Sequence, residues 1–364
     1  MINRLLLFLG RHVDSYLLAA VGALLVVGLI TLYSASGESF GRVGNQLVNI
    51  GLAFVVMWLA ANIPPHILQR LAMPVYILGL ILLIAVALFG EITNGAQRWL
   101  DVGVTRIQPS ELMKIAVPLA LAWYFDRYEA ILKLRDFVIG AVMLGIPVML
   151  VMEQPDLGTA LLIAIAGFFV IFLAGLSWRI IIGMAITVLA SLPVLWSFMH
   201  EYQQRRVLTL LDPTQDPLGA GYHTIQAAIA LGSGGFFGKG WLNGTQAHLD
   251  FLPERSTDFI FAVFSEEFGL FGNLILVTLF LFVIGRGMFI TFNASTLFTR
   301  LTAGAITLTF FTYVAVNMGM VSGILPVVGV PLPLISYGGT SLVSILFGMG
   351  ILMSIHTHKR LVKS

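Results

Sequence analysis

The stretch FLPERSTDFIFAVFSEEFG, Phe251 to Gly269, gathers Glu254, Asp258, Glu266 and Glu267 around a short, oily run. A carboxylate at the edge of such a run can take a proton as a general base. It can equally serve as a helix N-cap, and Asp258 and Thr257 both stand where a cap would precede FIFAVF. Glu266 and Glu267 follow close to the next apolar segment, where unpaired acids are costly, so they and Glu254 are expected to hold the loop's cations.

Two more positions place charge beside hydrocarbon. Lys114, in QPSELMK, lies about one turn inside an apolar segment, at the positive end of a helix dipole, and therefore needs an anion. Glu111, three residues earlier on the same face, is one partner; an acid from another helix or an anionic substrate is the alternative. Asp156, in MEQPDLGTA, follows the chain-breaking Pro155, where it could cap a helix or face Lys114 across a shared outer cavity. The segment GILPVVGVPLPLISYGGTS, Gly323 to Ser341, is rich in proline and glycine and carries no charge. Non-helical backbone at membrane depth is tolerated where it is buried in protein or lines a cavity, so Ser336, Tyr337, Gly338 and Gly339 are expected to offer hydrogen bonds to that cavity.

Several chemistries fail on spacing. In GSGGFFGKG, Gly232 to Gly240, Ser233 and Gly240 stand where a Walker A loop needs glycine and Ser or Thr, and Phe237 replaces the third glycine of a dinucleotide fingerprint. The remaining readings are a tight glycine turn, or a cradle in which free N–H groups and Lys239 hold a phosphate. The histidines are scattered without zinc spacing, and no nucleophile elbow is present. The chain has no cysteine, which excludes disulfides and thiolate metal sites.

The elements that position these groups follow from composition. At 58% hydrophobic and 10% charged, the chain departs far from the roughly one-quarter charged residues of soluble domains. It reads as an all-α integral membrane protein. With about 20 apolar residues per crossing, there are roughly ten crossings: Ser15 to Tyr33, Gln46 to Ile63, Ala72 to Phe89, Leu112 to Phe125, Phe137 to Met152, Leu157 to Ala174, Ile180 to Met199, Leu270 to Ile290, Leu301 to Val321 and Ser341 to Ile355. An even number places both termini on one face. Arg4, Arg11, Lys359, Arg360 and Lys363 lie there with Arg70, Arg127, Lys133, Arg135, Arg179, Arg286 and Arg300, which marks that face as cytoplasmic. Residues 1–14 read as an interfacial segment before a retained first crossing. The outer connections 90–111 and 200–269 are long, the latter between the seventh and eighth crossings, and hold the candidate site within a single membrane domain spanning 1–364.

The stretches GAQRWLDVG, QPSELMKIAVP, QPDLGTA, DPLGAGYHTIQAAIALGSGGFFGKG, LPERSTDFIFAVFSEEFG and LPLISYGGTS together resemble the SEDS family of bacterial shape, elongation, division and sporulation proteins. The match runs from the first crossing to the carboxyl tail and is closest to the elongation branch. The resemblance implies a peptidoglycan glycosyltransferase that polymerises lipid II at the outer face of the cytoplasmic (inner) membrane. Its implied partners are a class B penicillin-binding protein and other elongation-complex membrane proteins, with no nucleic acid. Relatives often carry histidine at the position of Ser256, so Asp258 is left as the motif's acid and the expected base. Lys114, Asp156, Arg205, Arg206, Lys239, Arg255, Trp99, Ser336 and Tyr337 are the expected substrate-binding candidates; no metal ligands stand out, although a divalent cation, Mg or Mn, could assist the diphosphate. A lipid flippase or other transporter, and a non-catalytic scaffold for the penicillin-binding protein, are the rival functions.

Overall fold

The structure, a computed structural model, describes residues 12–93, 96–101, 106–128, 132–154, 156–199, 204, 208, 220–245 and 254–358. Residues 1–11 of the expected interfacial segment, Arg205 and Arg206 lie outside the described residues. A helix covers each of the ten apolar runs: α1 Ser15–Ala35, α2 Phe40–Asn62, α3 Pro65–Phe89, α4 Pro109–Arg127, α5 Leu134–Glu153, α6 Leu157–Leu173, α7 Trp178–Phe198, α9 Ile260–Phe292, α10 Leu297–Val321 and α11 Thr340–Thr357. Among the described residues a further helix, α8 Ala220–Ser233, lies between α7 and α9. Seven of these helices (α1, α2, α3, α5, α9, α10 and α11) are long and apolar enough to cross a membrane among the described residues. The chain is a multi-pass membrane protein.

Length, propensity and caps explain the boundaries. Asp14 accepts the Leu17 N–H and starts α1, while Thr296 accepts the Thr299 N–H and starts α10. Pro65 and Pro109 sit in the first turns of α3 and α4, where a missing N–H costs nothing. The bundle pairs α2 with α11, α3 with α4, α9 with α10 and α5 with α6, while α4, α6 and α10 meet one another at its centre. Its core includes Leu24, Phe125, Ile163, Phe280, Phe298 and Leu346, all buried. By contrast, α7 exposes much of its apolar surface, Phe198 being 80% exposed, as suits a lipid-facing helix.

Asp14, at the start of α1, accepts two bonds from Arg286 near the end of α9 and lies 3.4 Å from His356 near the end of α11. The beginning of α1 and the end of α11 therefore share one end of the bundle. At the opposite end, two expectations change. The outer connection 90–111 is no plain loop: Glu91–Thr93, Ala96–Asp101 and Arg106–Ile107 form a three-stranded antiparallel sheet, β1 to β3, with Trp99 opposite Glu91. The eighth crossing begins at Ile260 rather than Leu270, because the oily FIFAVF run is itself helical and continuous with the following span across a break at Gly269 (φ 62°).

Candidate functional site

That break has a steric cause. A Cβ on Gly269 would lie 2.3 Å from the Gly238 nitrogen, and one on Gly238 would lie 2.1 Å from the Glu267 carbonyl oxygen. Backbone packs on backbone here, which glycine permits. The 232–240 turn thereby resolves to its structural reading: Lys239 N–H donates to Glu266 O (3.0 Å), Gly240 N–H to Glu267 O (2.9 Å) and Gly238 N–H to Gly234 O (2.8 Å). These donors are occupied, so they form no phosphate cradle. The Lys239 ammonium is likewise committed, at 2.6 Å from Glu266 Oε1 and 2.8 Å from Thr245 Oγ1.

Glu266 and Glu267 are both buried, and their partners explain how that is tolerated. Besides Lys239, Glu266 accepts the Thr245 N–H and hydroxyl, each at 2.9 Å. Glu267 accepts the Ser34 hydroxyl and, at 3.2 Å, the Leu242 N–H. The expectation that Glu266 holds a loop cation is met; Glu267 instead ties α1 to the loop.

Just before this helix, Asp258 stands apart. The N-cap of α9 is Phe259, with no side-chain cap, and the Thr257 hydroxyl bonds to Glu254 Oε2 at 2.8 Å. Neither Asp258 nor Thr257 caps the helix. The Asp258 side chain is half-buried, and its Oδ2 would lie 3.4 Å from a Cβ on Gly329, whose φ is +72°. Burial, reinforced by the neighbouring Glu254 carboxylate, pushes the Asp258 carboxyl up to about 6. Among the described residues no hydrogen bond or ion pair engages that carboxylate.

Its backbone, however, is held tightly. Tyr337 N–H donates to Ser256 O (2.9 Å), Ser336 Oγ donates to Thr257 O (2.6 Å) and Asn317 Nδ2 donates to Asp258 O (2.9 Å). The proline-glycine segment between α10 and α11 is thus a wall that clamps the Asp258 turn. Ser336 also accepts the Leu332 N–H at 2.8 Å, and Gln46 bonds both Ser336 O and Gly338 N–H at 3.4 and 3.2 Å. Ser336 and Gly338 were expected to present bonds to a cavity; they spend them holding the wall, because its backbone has no helical partners of its own. The Tyr337 N–H is used in the same way.

Lys114 finds its anion locally. Its Nζ lies 2.6 Å from Glu111 Oε1 and 2.7 Å from the Tyr313 hydroxyl, and Ser344 Oγ donates to Glu111 Oε2 at 2.6 Å. Lys114 and Tyr313 line a small cavity of about 50 Å³ between α4, α10 and α11, walled mainly by Pro118, Ile306, Phe310 and Met349. Asp156 makes no ion pair with Lys114 among the described residues, but it lies near enough to act electrostatically on Tyr313, the partner of Lys114. It caps α6 by accepting the Thr159 N–H (3.2 Å) and lies 3.7 Å from Arg98 Nε, beside Trp99 on β2. The start of α6 nevertheless packs on the segment that Asp258 touches: a Cβ on Gly158 would lie 2.8 Å from Val328 O, next to Gly329.

Arg255 sits in the same turn as Asp258, half-buried, with Nη2 about 3.8 Å from a Cβ on Gly37. Arg42, exposed on α2, reaches Ser256 Oγ at 3.1 Å. Arg42, Tyr313 and Asn317 were not among the candidates singled out from the sequence. Tyr313 and Asn317 were legible as polar groups inside the apolar run 301–321; four residues apart, they put the Lys114 cluster and the Asp258 turn on one face of α10. No group of three or more His, Asp or Glu among the described residues is placed to hold a metal ion.

Comparison with known proteins places the chain in a family. The chain is 52% identical over 352 residues to the peptidoglycan glycosyltransferase MrdB of Escherichia coli K12, covering 96% of this chain and 95% of that one. It is 35% identical over 356 residues to MrdB of Helicobacter pylori J99, covering 94% and 90%. Among solved structures, a chain of a peptidoglycan synthase complex described as coordinating polymerization and crosslinking matches with a TM-score of 0.83 and 32% identity, over 94% of this chain and 97% of that one. The rod shape determining protein RodA of Thermus thermophilus matches with a TM-score of 0.71 and 30% identity, over 94% and 96%. The model of the cell cycle protein family FTSW_RODA_SPOVE matches residues 15–361, and this chain belongs to that family.

Proposed function

We propose that this chain is a peptidoglycan glycosyltransferase of cell elongation that polymerises lipid II, with Asp258 as general base. The observation that carries the assignment is a clamped turn presenting a half-buried carboxylate that has no hydrogen bond or ion pair among the described residues. Such a group is free to accept a proton, and its raised pKa brings it nearer to working pH, where general bases are most effective.

The donor's disaccharide is α-linked to undecaprenyl diphosphate and the polymer is β-linked, so one inverting displacement suffices. Asp258 takes the proton of the acceptor sugar's 4-hydroxyl as that oxygen attacks the donor's anomeric carbon. The bond from this carbon to the diphosphate oxygen breaks, and undecaprenyl diphosphate leaves with the electron pair. Preorganised cations stabilise the developing charge. Arg255, in the same turn as Asp258, and Arg42, bonded to Ser256 Oγ, are the cations placed beside the base; Lys114, Lys239, Arg205 and Arg206 remain candidates from the sequence. A divalent cation, Mg or Mn, would add charge stabilisation at the substrate's diphosphate.

The oily bundle suits a polyprenyl tail kept in the bilayer. The inner membrane, an outward-facing site and a transpeptidase partner complete the reading, supported by the lysine and arginine asymmetry and by the relatives' names. A flippase would place charges along a midplane pathway, whereas Asp258 and Arg255 here sit beside the start of α9. Purified protein supplied with labelled lipid II tests the proposal: growing glycan supports it, and lipid scrambling without polymer contradicts it.

A further inference from the structure

Asn317 is fully buried on α10, yet it is a carboxamide in an apolar helix. Its Nδ2 lies 2.9 Å from Asp258 O and 2.7 Å from Val330 O. Both neighbours are acceptors, so the amide nitrogen must face them, and both of its hydrogens are used. Its Oδ1 has no partner among the described residues. An unpaired buried acceptor is unfavourable, and a leucine would fill nearly the same volume without it. Packing alone does not account for this amide.

What the amide does is join two non-helical pieces of chain. One bond holds the main chain of Asp258; the other holds Val330, the neighbour of Gly329, against which the Asp258 carboxylate rests. A single NH₂ group therefore sets the spacing between the carboxylate's own backbone and the wall it leans on. Ser336 and Tyr337 hold the two preceding carbonyls but belong to the wall itself. Asn317 ties both parts to a membrane helix.

We propose that Asn317 is a positioning residue for Asp258, fixing the carboxylate where it meets the acceptor hydroxyl. The proposal rests on the reading of Asp258 as the base. A base must come within about 2.6–3.2 Å of the oxygen whose proton it takes, and a displacement of about 1 Å costs on the order of 100-fold.

The experiment measures steady-state lipid II polymerisation by full-length native, Asn317→Leu and Asn317→Asp proteins, alone and combined with Asp258→Asn. The Leu variant removes both bonds; the Asp variant keeps the shape and turns an oxygen toward two carbonyls. The expected result is a kcat lower by on the order of 10- to 100-fold, with KM for lipid II within about threefold, because the lost interaction matters only at the transition state. In the Asp258→Asn background the same substitutions should leave the residual turnover unchanged, since there is no base left to position. If the Leu protein does not fold, Asn317→Ser, too short to reach both carbonyls, is judged by the same criteria. A kcat within threefold of native, a rise in KM alone, or a loss that multiplies in the Asp258→Asn background each overturns the positioning role. Failure of the native protein to polymerise lipid II instead overturns the glycosyltransferase reading on which the role depends.

Discussion

Replacing Lys114 by methionine removes a cation whose side chain is 7% exposed and whose anion, Glu111, is 14% exposed. Methionine fills the same channel beside Tyr313 but offers neither the 2.6 Å ion pair nor the 2.7 Å bond to the Tyr313 hydroxyl. Glu111 is left with Ser344 alone, a half-satisfied carboxylate in hydrocarbon. Breaking a buried pair on one side costs about 3–5 kcal/mol. At roughly 2 °C per kcal/mol for a chain of this size, the unfolding midpoint should fall by roughly 6–10 °C. Adding Glu111→Gln removes the orphaned charge while keeping an acceptor for Ser344, so the double variant should recover at least half of the loss. Thermal unfolding of the four purified proteins in one detergent closes the cycle. A Lys114→Met midpoint within 2 °C of native, or a double variant that simply sums the single losses, would refute the reasoning that the pair is a self-contained buried unit.

Three further outcomes follow from the same geometry. Because Asp258 must be ionised to accept a proton, kcat/KM for polymerisation should rise with pH through a midpoint near 6 and level off above it, and an acid limb nearer 4 would contradict the burial argument. Its folded-state pKa lies above the ordinary carboxylate value of 3.8, so the charged form is the disfavoured one in the folded protein; the associated stabilisation is present at low pH and lost as pH rises through about 6. Asp258→Asn should therefore raise the unfolding midpoint at pH 8 but not at pH 4, by differential scanning measurement. Gly238→Ala should destabilise strongly, since its Cβ would meet Glu267 O at 2.1 Å at a φ of +79°, whereas Gly232→Ala, with nothing within 4 Å on a helix, should be neutral or stabilising by up to about 1 kcal/mol.

Much of the architecture was legible because apolar run length is a strong signal. All ten runs became helices, and Lys114 with Glu111 followed from spacing on one helical face. The start of α9 was not legible: Glu266 and Glu267 looked like an interruption, and only the buried contacts with Lys239, Thr245 and Ser34 show how two acids continue a helix. The β1 to β3 sheet escaped notice because its strands are two to six residues long, too short for a clear alternation. At the site, Asp258 emerged from its motif, but its clamp did not. The bonds from Asn317, Ser336 and Tyr337 join residues distant in sequence, and nothing local in PLPLISYGG reveals that its donors turn inward rather than toward a ligand. Which acid would hold Lys239 was hidden for the same reason, Glu266 lying 27 positions away.

The central claim is that Asp258 accepts the proton in glycan polymerisation. Its most direct test is chain growth from labelled lipid II by native and Asp258→Asn proteins, both folded and bound to the same transpeptidase partner. The account predicts polymer from the native protein and a rate lower by about 10²- to 10⁴-fold from the variant, with lipid II still bound. Polymer formed by Asp258→Asn at a rate close to native would contradict it.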